Sequence, residues 1–267
     1  MANPIFSNNK TFSANQSMNQ TLPDVQQFED MYQAPSATPQ QMRRMTYDDV
    51  IMKSLISFAT VVAGAVAGWM IPALSTIGMI VGVGLGLYLG FSGKNSKQLI
   101  LTYAAAQGLF VGGFTHILET MYPGIAVQAI LGTFAVFVAS FMLYKSGRFH
   151  TSPKFQRMLS IAMFALFIFS MLNILLMLTG VTQGSFGMYS AAIPGTSIPF
   201  GLVLGPLAIL LGAYSLVNDF QAVDDGVRNG APAEMAWTAA FGITMTMIWL
   251  YVEILRLIAI IRQGDNN

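Results

Sequence analysis

Apolar residues occur in long continuous stretches along the chain. Seven such stretches can be counted, at about 55–73, 76–93, 99–118, 124–144, 158–180, 197–218 and 235–261. A helix needs about 20 apolar residues to cross a bilayer, and lipid leaves no water for unpaired backbone groups. The short alternating segments of a membrane β-barrel are absent. The pattern predicts an all-α integral membrane protein with seven transmembrane helices.

The N-terminal segment has a different pattern. "MANPIFSNNKTFSANQSMNQ" is rich in Asn, Ser and Gln and has no apolar core of a signal peptide, which predicts a disordered cytoplasmic tail. Order should begin in "RMTYDDV", where Thr46 can cap a helix and Asp49 complements its exposed amides. The predicted organisation is therefore a tail over residues 1–45, a seven-helix domain over 46–263 and a short C-terminal tail over 264–267.

Composition agrees with a membrane protein. Hydrophobic residues make up 54% of the chain and charged residues 9%, against about 25% charged in soluble proteins. The net charge of +1 and the lack of a basic stripe exclude nucleic acid as an expected partner. Cysteine is absent, which excludes disulfides and thiolate sites. No hydrolase or zinc-protease motif occurs, so we expect neither an enzyme nor a tightly bound cofactor.

The connections between the stretches alternate in their content of Lys and Arg. The cations lie before the first stretch and in every second connection: Arg43, Arg44, Lys53; Lys94, Lys97; Lys145, Arg148, Lys154, Arg157; Arg228. Cytoplasmic loops retain such residues. The pattern predicts a multi-pass protein of the cell membrane with a cytoplasmic N-terminus and an external C-terminus.

Glycine pairs with the GxxxG spacing occur in several stretches. They are Gly64 and Gly68, Gly82 and Gly86, Gly86 and Gly90, Gly108 and Gly112, and Gly201 and Gly205. Small residues on one face let helix backbones approach closely in lipid. Glycine is also simply common in membrane helices, so we expect only about half of these pairs to mark helix contacts.

Few ionisable residues interrupt the apolar stretches, and such residues are candidates for function because they are costly in lipid. His116 and Glu119 are one turn apart, but no second motif of this kind accompanies them, and their place at a helix end favours a hydrated pair. Asp219 lies near the cytoplasmic end of the sixth stretch. Asp224 and Asp225 follow in a polar segment that predicts solvated loop charges.

Glu253 differs from these residues because it lies well inside the seventh stretch, in "LYVEILRL". Arg256 is three residues away, so the two could neutralise each other on one helix face while Arg256 extends toward the outer headgroups. That pairing would offset their cost without explaining why two charged residues are present. A carboxyl group buried in the bundle could also serve as a proton-sensitive latch, above all beside a second carboxyl group.

The two last helices resemble a known family. "SLVNDFQAV" followed by "WLYVEILRLIAIIR" is similar to the corresponding part of the transmembrane Bax inhibitor motif family, the Bax inhibitor-one-like proteins. The bacterial branch of this family is similar to the segments "RMTYDDVIMKS" and "GLFVGGFTHILETMYPGIAVQAILGTF". This resemblance implies a location in the bacterial inner membrane. The resemblance covers about residues 43–262.

The resemblance implies a seven-helix fold with a central seventh helix and a pH-dependent calcium leak governed by two carboxyl groups. Asp219 matches the first acid of the family and Glu253 the second, as pH-sensing, ion-gating and weak, transient calcium-binding residues. A cationic partner of this pair would be Lys94 or Arg256. The chain has Glu253 where the family commonly has Asp, and the apolar part of its second helix lacks the charged residues that some relatives use to latch the pair.

The spacing of the two acids raises a problem of depth. Asp219 and Glu253 are separated by a cytoplasmic loop, so straight helices would leave Glu253 deeper by two or more turns. A break near Gly242, or a sixth helix that continues beyond Asp219, would reconcile the two positions. Besides the leak channel, a non-transporting adaptor that regulates a membrane protease or a stress response is an open alternative. A secondary transporter is less favoured, because no internal repeat is found.

Overall fold

The protein is described by a computed structural model over residues 44–92, 96–147, 153–182 and 186–265. These ranges contain seven α-helices: α1 (Tyr47–Met70), α2 (Leu74–Ser92), α3 (Lys97–Met121), α4 (Ile125–Lys145), α5 (Pro153–Leu178), α6 (Phe200–Arg228) and α7 (Met235–Asp265). A 3₁₀ turn, Gly187–Tyr189, lies between α5 and α6. Over the described ranges there is no β-strand, and every predicted apolar stretch is a helix. The predicted tail up to residue 43 and Lys94 lie outside these ranges.

The first helix begins where its capping residues predict. Thr46 Oγ1 accepts a hydrogen bond from the Asp49 amide at 3.1 Å, and the Asp49 carboxylate accepts one from the Thr46 amide at 3.3 Å. This reciprocal pair is a capping box, which satisfies two amides that the helix itself leaves unpaired. The predicted helix cap at Thr46 is therefore confirmed, whereas the domain boundary at residue 46 stays a prediction.

Six of the seven described helices are long and apolar enough to cross a membrane by length and composition. The exception is α3, which contains Thr, Gln and His side chains among its apolar residues. Many of its residues are buried against α1, α2 and α7. A helix that protein shields from lipid needs less hydrophobicity, because its polar groups face other helices instead of hydrocarbon.

The most buried of the candidate spans is α7. Within the described chain, 56% of its span is buried, against 33% or less for each of the other five candidates. It packs against α1, α3, α4 and α6. The central position that the resemblance implies for the seventh helix agrees with this burial.

The contact between α1 and α3 depends on glycine. An added Cβ at Gly112 would lie 1.9 Å from the Ala65 carbonyl oxygen, and one at Gly68 would lie 2.2 Å from the Leu109 carbonyl oxygen. Gly64 and Gly108 face each other across the same contact. Two of the predicted GxxxG pairs therefore form one interface, in which the helix backbones touch. Gly90, by contrast, has open space around it, so the predicted pair of Gly86 and Gly90 does not act as a packing motif.

The sixth helix is longer than its apolar stretch. It continues to Arg228, so Asp224 and Asp225 lie in its last turns. The interpretation of these two residues as loop charges was wrong. Arg228 Nε donates to Asp224 Oδ1 at 3.0 Å, one turn along the same helix, and the Tyr47 hydroxyl donates to the same oxygen. The pairing of opposite charges at i and i+4 supports the helix after its apolar residues end.

Candidate functional site

Glu253 lies on α7 and is 2% exposed. Arg256 Nη2, one turn later on the same helix, donates to Glu253 Oε1 at 2.9 Å. The Arg256 side chain is 13% exposed. The predicted mutual neutralisation is therefore present, and it occurs inside the bundle. Because both residues belong to one helix, a rigid movement of α7 does not separate them.

Arg256 is held by a contact that the sequence did not indicate. Its guanidinium carbon lies 4.2 Å from the centroid of the Tyr189 ring, which is a cation–π geometry. The Tyr189 and Ser170 hydroxyl oxygens are 3.0 Å apart and share a hydrogen bond. Arg256 Nη1 is buried and has no hydrogen-bond partner among the described residues. The guanidinium group of Arg256 thus packs on Tyr189, and its expected extension toward the outer headgroups stays a prediction.

The turn that carries Tyr189 is fixed to α5 by one side chain. Asn173 Nδ2 donates to the Phe186 carbonyl oxygen at 3.2 Å, and Asn173 Oδ1 accepts from the Met188 amide at 2.7 Å. Gly187 has φ +56°, and a Cβ there would lie 2.5 Å from Asn173 Oδ1. The link between α5 and α6 therefore enters the bundle and covers Arg256. Sequence reasoning treated it only as a loop without Lys or Arg.

Asp219 lies on α6 and is partly buried. Thr246 Oγ1, on α7, donates to Asp219 Oδ2 at 2.7 Å. Gly242 is one turn before Thr246, and a Cβ there would lie 3.8 Å from Asp219 Oδ1 with no other atom within 4 Å. The carboxyl group of Asp219 therefore lies against two residues of α7, the Thr246 hydroxyl group and the backbone at Gly242. The sequence identified Asp219 but neither of these neighbours.

The register between α6 and α7 is set by glycines of α6. An added Cβ would lie 2.5 Å from Leu250 at Gly212, 2.9 Å from Leu257 at Gly205 and 2.4 Å from Ile260 at Gly201. The facing positions advance by about equal numbers of residues in opposite directions, as two antiparallel helices require. The same register places Asp219 opposite Gly242.

The structure does not bring Asp219 and Glu253 together. Thr246, which binds Asp219, and Glu253 are seven residues apart on α7, or about 10 Å along a helix. This separation agrees with the expected depth difference of two or more turns. Neither of the two arrangements considered for reconciling the depths joins the acids: α7 runs unbroken past Gly242, and the part of α6 beyond Asp219 leads away from the level of Glu253.

The possible partners of the two acids are also separated. Arg256 binds Glu253, whereas the second proposed cation, Lys94, lies outside the described residues. Among the described residues, no group of three or more His, Asp or Glu side chains could hold a metal ion. Calcium takes six to eight oxygen ligands. Each carboxyl group could therefore contribute only part of a calcium site, and weak calcium binding at Asp219 and Glu253 stays a prediction.

His116 and Glu119 do not form a ligand pair in the structure. The Glu119 carboxylate accepts hydrogen bonds from the Gly124 amide at 2.6 Å and the Ala126 amide at 2.9 Å, at the start of α4. These bonds, above all that from Ala126, hold the pKa of Glu119 below its usual value. The His116 ring packs edge-on against Trp69, with centroids 5.1 Å apart. Glu119 is thus a cap of α4.

The fold and these two acids define an α-helical, multi-pass membrane protein with ionisable groups inside its bundle. The profile of the "Bax inhibitor 1 like" family matches residues 3–263, which is nearly the whole chain. The chain belongs to this family. The match confirms the resemblance recognised from residues 43–262 and extends into the N-terminal segment. A comparison with curated protein sequences gave no match.

Proposed function

We propose that the chain is a pH-dependent calcium leak channel of the cell membrane, in which Asp219 and Glu253 form two successive carboxyl sites along α7. The observation that carries the proposal is the placement of these two acids at different depths of the same helix contact, inside an apolar bundle. Ionisable groups in such positions are costly and are kept where they serve an ion path. No catalytic role is proposed for either residue.

The proposed path follows the contact of α6 with α7. Calcium would exchange part of its water for a carboxylate oxygen at one site, then at the next, with backbone carbonyl groups completing its shell. Two weak sites separated by two or more helical turns suit passage better than storage, since an ion must leave each site readily. Protonation of a carboxyl group removes the charge that attracts the cation, so the proposed flux falls at low pH.

The described arrangement corresponds to a closed state of this path. Leu216, Leu250 and Leu255 are each 0% exposed and fill the space around α7. In this proposal, opening requires α6 and α7 to separate sideways. A sideways movement would leave Thr246 and Asp219 apart while keeping Glu253 and Arg256 together on α7.

The proposal is tested by calcium flux into proteoliposomes from about pH 5 to about pH 8. Parent protein is compared with Asp219→Asn and Glu253→Gln, and Glu119→Gln serves as a matched control because Glu119 caps α4 away from the path. We expect a flux that rises with pH in the parent and the control. Either site substitution should flatten the pH response.

A flux no greater than that of empty liposomes would overturn the channel proposal. So would a parent-like pH response in both site variants. Each result would favour the second candidate function.

The second candidate is a non-transporting adaptor that regulates another membrane protein, and one observation favours it. Two cavities of about 440 and 310 Å³ lie between α1 and α4, and side chains of apolar residues dominate both linings. Neither cavity is lined by Asp219 or Glu253. If the protein conducts no ions, these acids serve the packing of α7, and their substitution affects stability alone.

A further inference from the structure

The Asp219 carboxyl group has a neighbour whose role the proposed channel does not define. Thr246 Oγ1 lies 2.7 Å from Asp219 Oδ2, and it is the only hydrogen-bond donor to this carboxyl group that the described residues provide. Thr246 is 8% exposed, so water has little access to its hydroxyl group. The bond joins α6 to α7, two helices that a connection of six residues, 229–234, links in the chain.

Among the described residues, no charged group on the helices packed against α6 forms a salt bridge with Asp219. Lys53 on α1 donates to the Ala233 carbonyl oxygen at 2.7 Å, and Glu253 on α7 binds Arg256. On α4, Lys145 forms no described salt bridge with Asp219, and the Tyr144 ring packs with Phe220. The described charged residues of α5, Lys154 and Arg157, form no described salt bridge with Asp219. The hydroxyl group of Thr246 is therefore the polar group that determines where the carboxyl group lies.

We propose that Thr246 is the positioning residue of Asp219: its hydroxyl group holds the carboxyl group against the bare backbone at Gly242, as a single site separate from Glu253. The proposal rests on the proposed function for its meaning in ion passage, but its geometry can be tested alone. A carboxyl group in this position has one oxygen bound to Thr246 and one oxygen facing Gly242. The second oxygen is the one that a cation or a proton would reach.

The fixed register explains why positioning is needed. The glycine contacts of α6 keep Asp219 about two turns from Glu253, so the second acid cannot hold the first through a shared proton. A hydroxyl group on α7 replaces it as the partner. Thr246 thereby donates the hydrogen bond that holds Asp219, as Arg256 donates the one that holds Glu253.

The chain offers a matched control two residues away on the same helix. Thr244 is 1% exposed, and its Oγ1 is buried without a hydrogen-bond partner. Substitution of either threonine by valine removes one buried hydroxyl group from α7 at nearly constant volume. Only the substitution at residue 246 removes a bond to Asp219, so a general effect on packing would appear in both variants.

The test is infrared difference spectroscopy of the purified protein between acid and neutral pH. The carbonyl-stretch band of protonated Asp219 is identified by its loss in Asp219→Asn. We expect Thr246→Val to move this band to higher wavenumber, as in a carboxyl group that has lost a hydrogen-bond donor. Thr246→Ser should restore the parent position, and Thr244→Val should leave it unchanged.

An Asp219 band at the parent position in Thr246→Val would overturn the proposal, as would equal displacement of the band in Thr244→Val. Should the valine variant not fold, Thr246→Ala provides a second protein without the hydroxyl group. The spectra require no calcium gradient, so their result is independent of flux. A displaced band without flux refutes the channel alone, whereas flux with an unmoved band refutes the positioning role alone.

Discussion

Glu253 and Arg256 show how one pair of residues can be both costly and stable in a membrane bundle. Taking two charges out of water costs several kcal/mol per ion, and the attraction between them offsets this cost only with good geometry. The separation of 2.9 Å and the aromatic ring over the guanidinium group provide that geometry. Arg256 Nη1 is left without a partner, so the pair is incompletely satisfied.

We expect Glu253→Gln and Arg256→Met each to lower the free energy of unfolding by about 3–5 kcal/mol, because each leaves one buried group without its partner. The double variant should lose less than the sum of the two single losses. Thermal unfolding in detergent measures this. Arg228→Gln, which breaks the exposed pair on α6, is the control and should change stability little. Additive losses in the double variant would contradict a direct interaction.

The sequence could identify both acids and the partner of Glu253, but not the partner of Asp219. Glu253 and Arg256 are three residues apart on one helix, so their pairing follows from helix geometry alone. Thr246 and Asp219 belong to different helices, and their contact depends on a register that apolar periodicity does not specify. The contact of Tyr189 with Arg256 depends on a loop that turns inward. Neither contact could be inferred from residue spacing.

At the scale of helices, the sequence predicted the number and approximate bounds of the elements. Continuous apolar stretches are strong signals, and the capping residues fixed the start of α1. The end of α6 was missed because its last turns are polar and are held by an ion pair instead of by lipid. The glycine spacings predicted that helices touch, but only the structure shows which helices they join.

Gly112→Ala tests the contact of α1 with α3. A Cβ at this position would lie 1.9 Å from the Ala65 carbonyl oxygen, and a backbone atom of a packed helix cannot turn aside. We expect the substitution to lower the free energy of unfolding by about 1–3 kcal/mol, the usual cost of overpacking a core. Gly84→Ala is the control, since it has open space around it and alanine favours helix. Chemical or thermal unfolding in detergent compares the two.

A Gly112→Ala protein as stable as the parent would show that α1 and α3 do not approach as closely as described.

At the scale of the whole molecule, the alternating loop charges predict which ends of the helices face the cytoplasm. The chain has no cysteine, so single cysteines can be introduced without a competing thiol. Met121 and Gly264 are exposed near the predicted outer ends of α3 and α7, and Gln98 and Asn229 are exposed near the predicted inner ends of α3 and α6. Labelling at these four positions reports the orientation of the protein and shows whether α3 crosses the membrane.

We expect a membrane-impermeant thiol reagent on intact cells to label Met121→Cys and Gly264→Cys. Gln98→Cys and Asn229→Cys should react only after the membrane is opened. This result follows if positive loops stay in the cytoplasm and all seven helices cross. The reverse pattern would contradict the orientation. Equal labelling of residues 98 and 121 would show that α3 does not cross.

The central position of α7 has a consequence for how the protein is made. Synthesis proceeds from the N-terminus, so α1 to α6 leave the ribosome before the helix that most of them surround. Until α7 is inserted, α6 lacks the α7 side chains that pack against its glycines Gly201, Gly205 and Gly212. The contact of α1 with α3 needs no part of α7, whereas the packing of α6 must wait for it. The final packing of the bundle is delayed until its last helix is inserted.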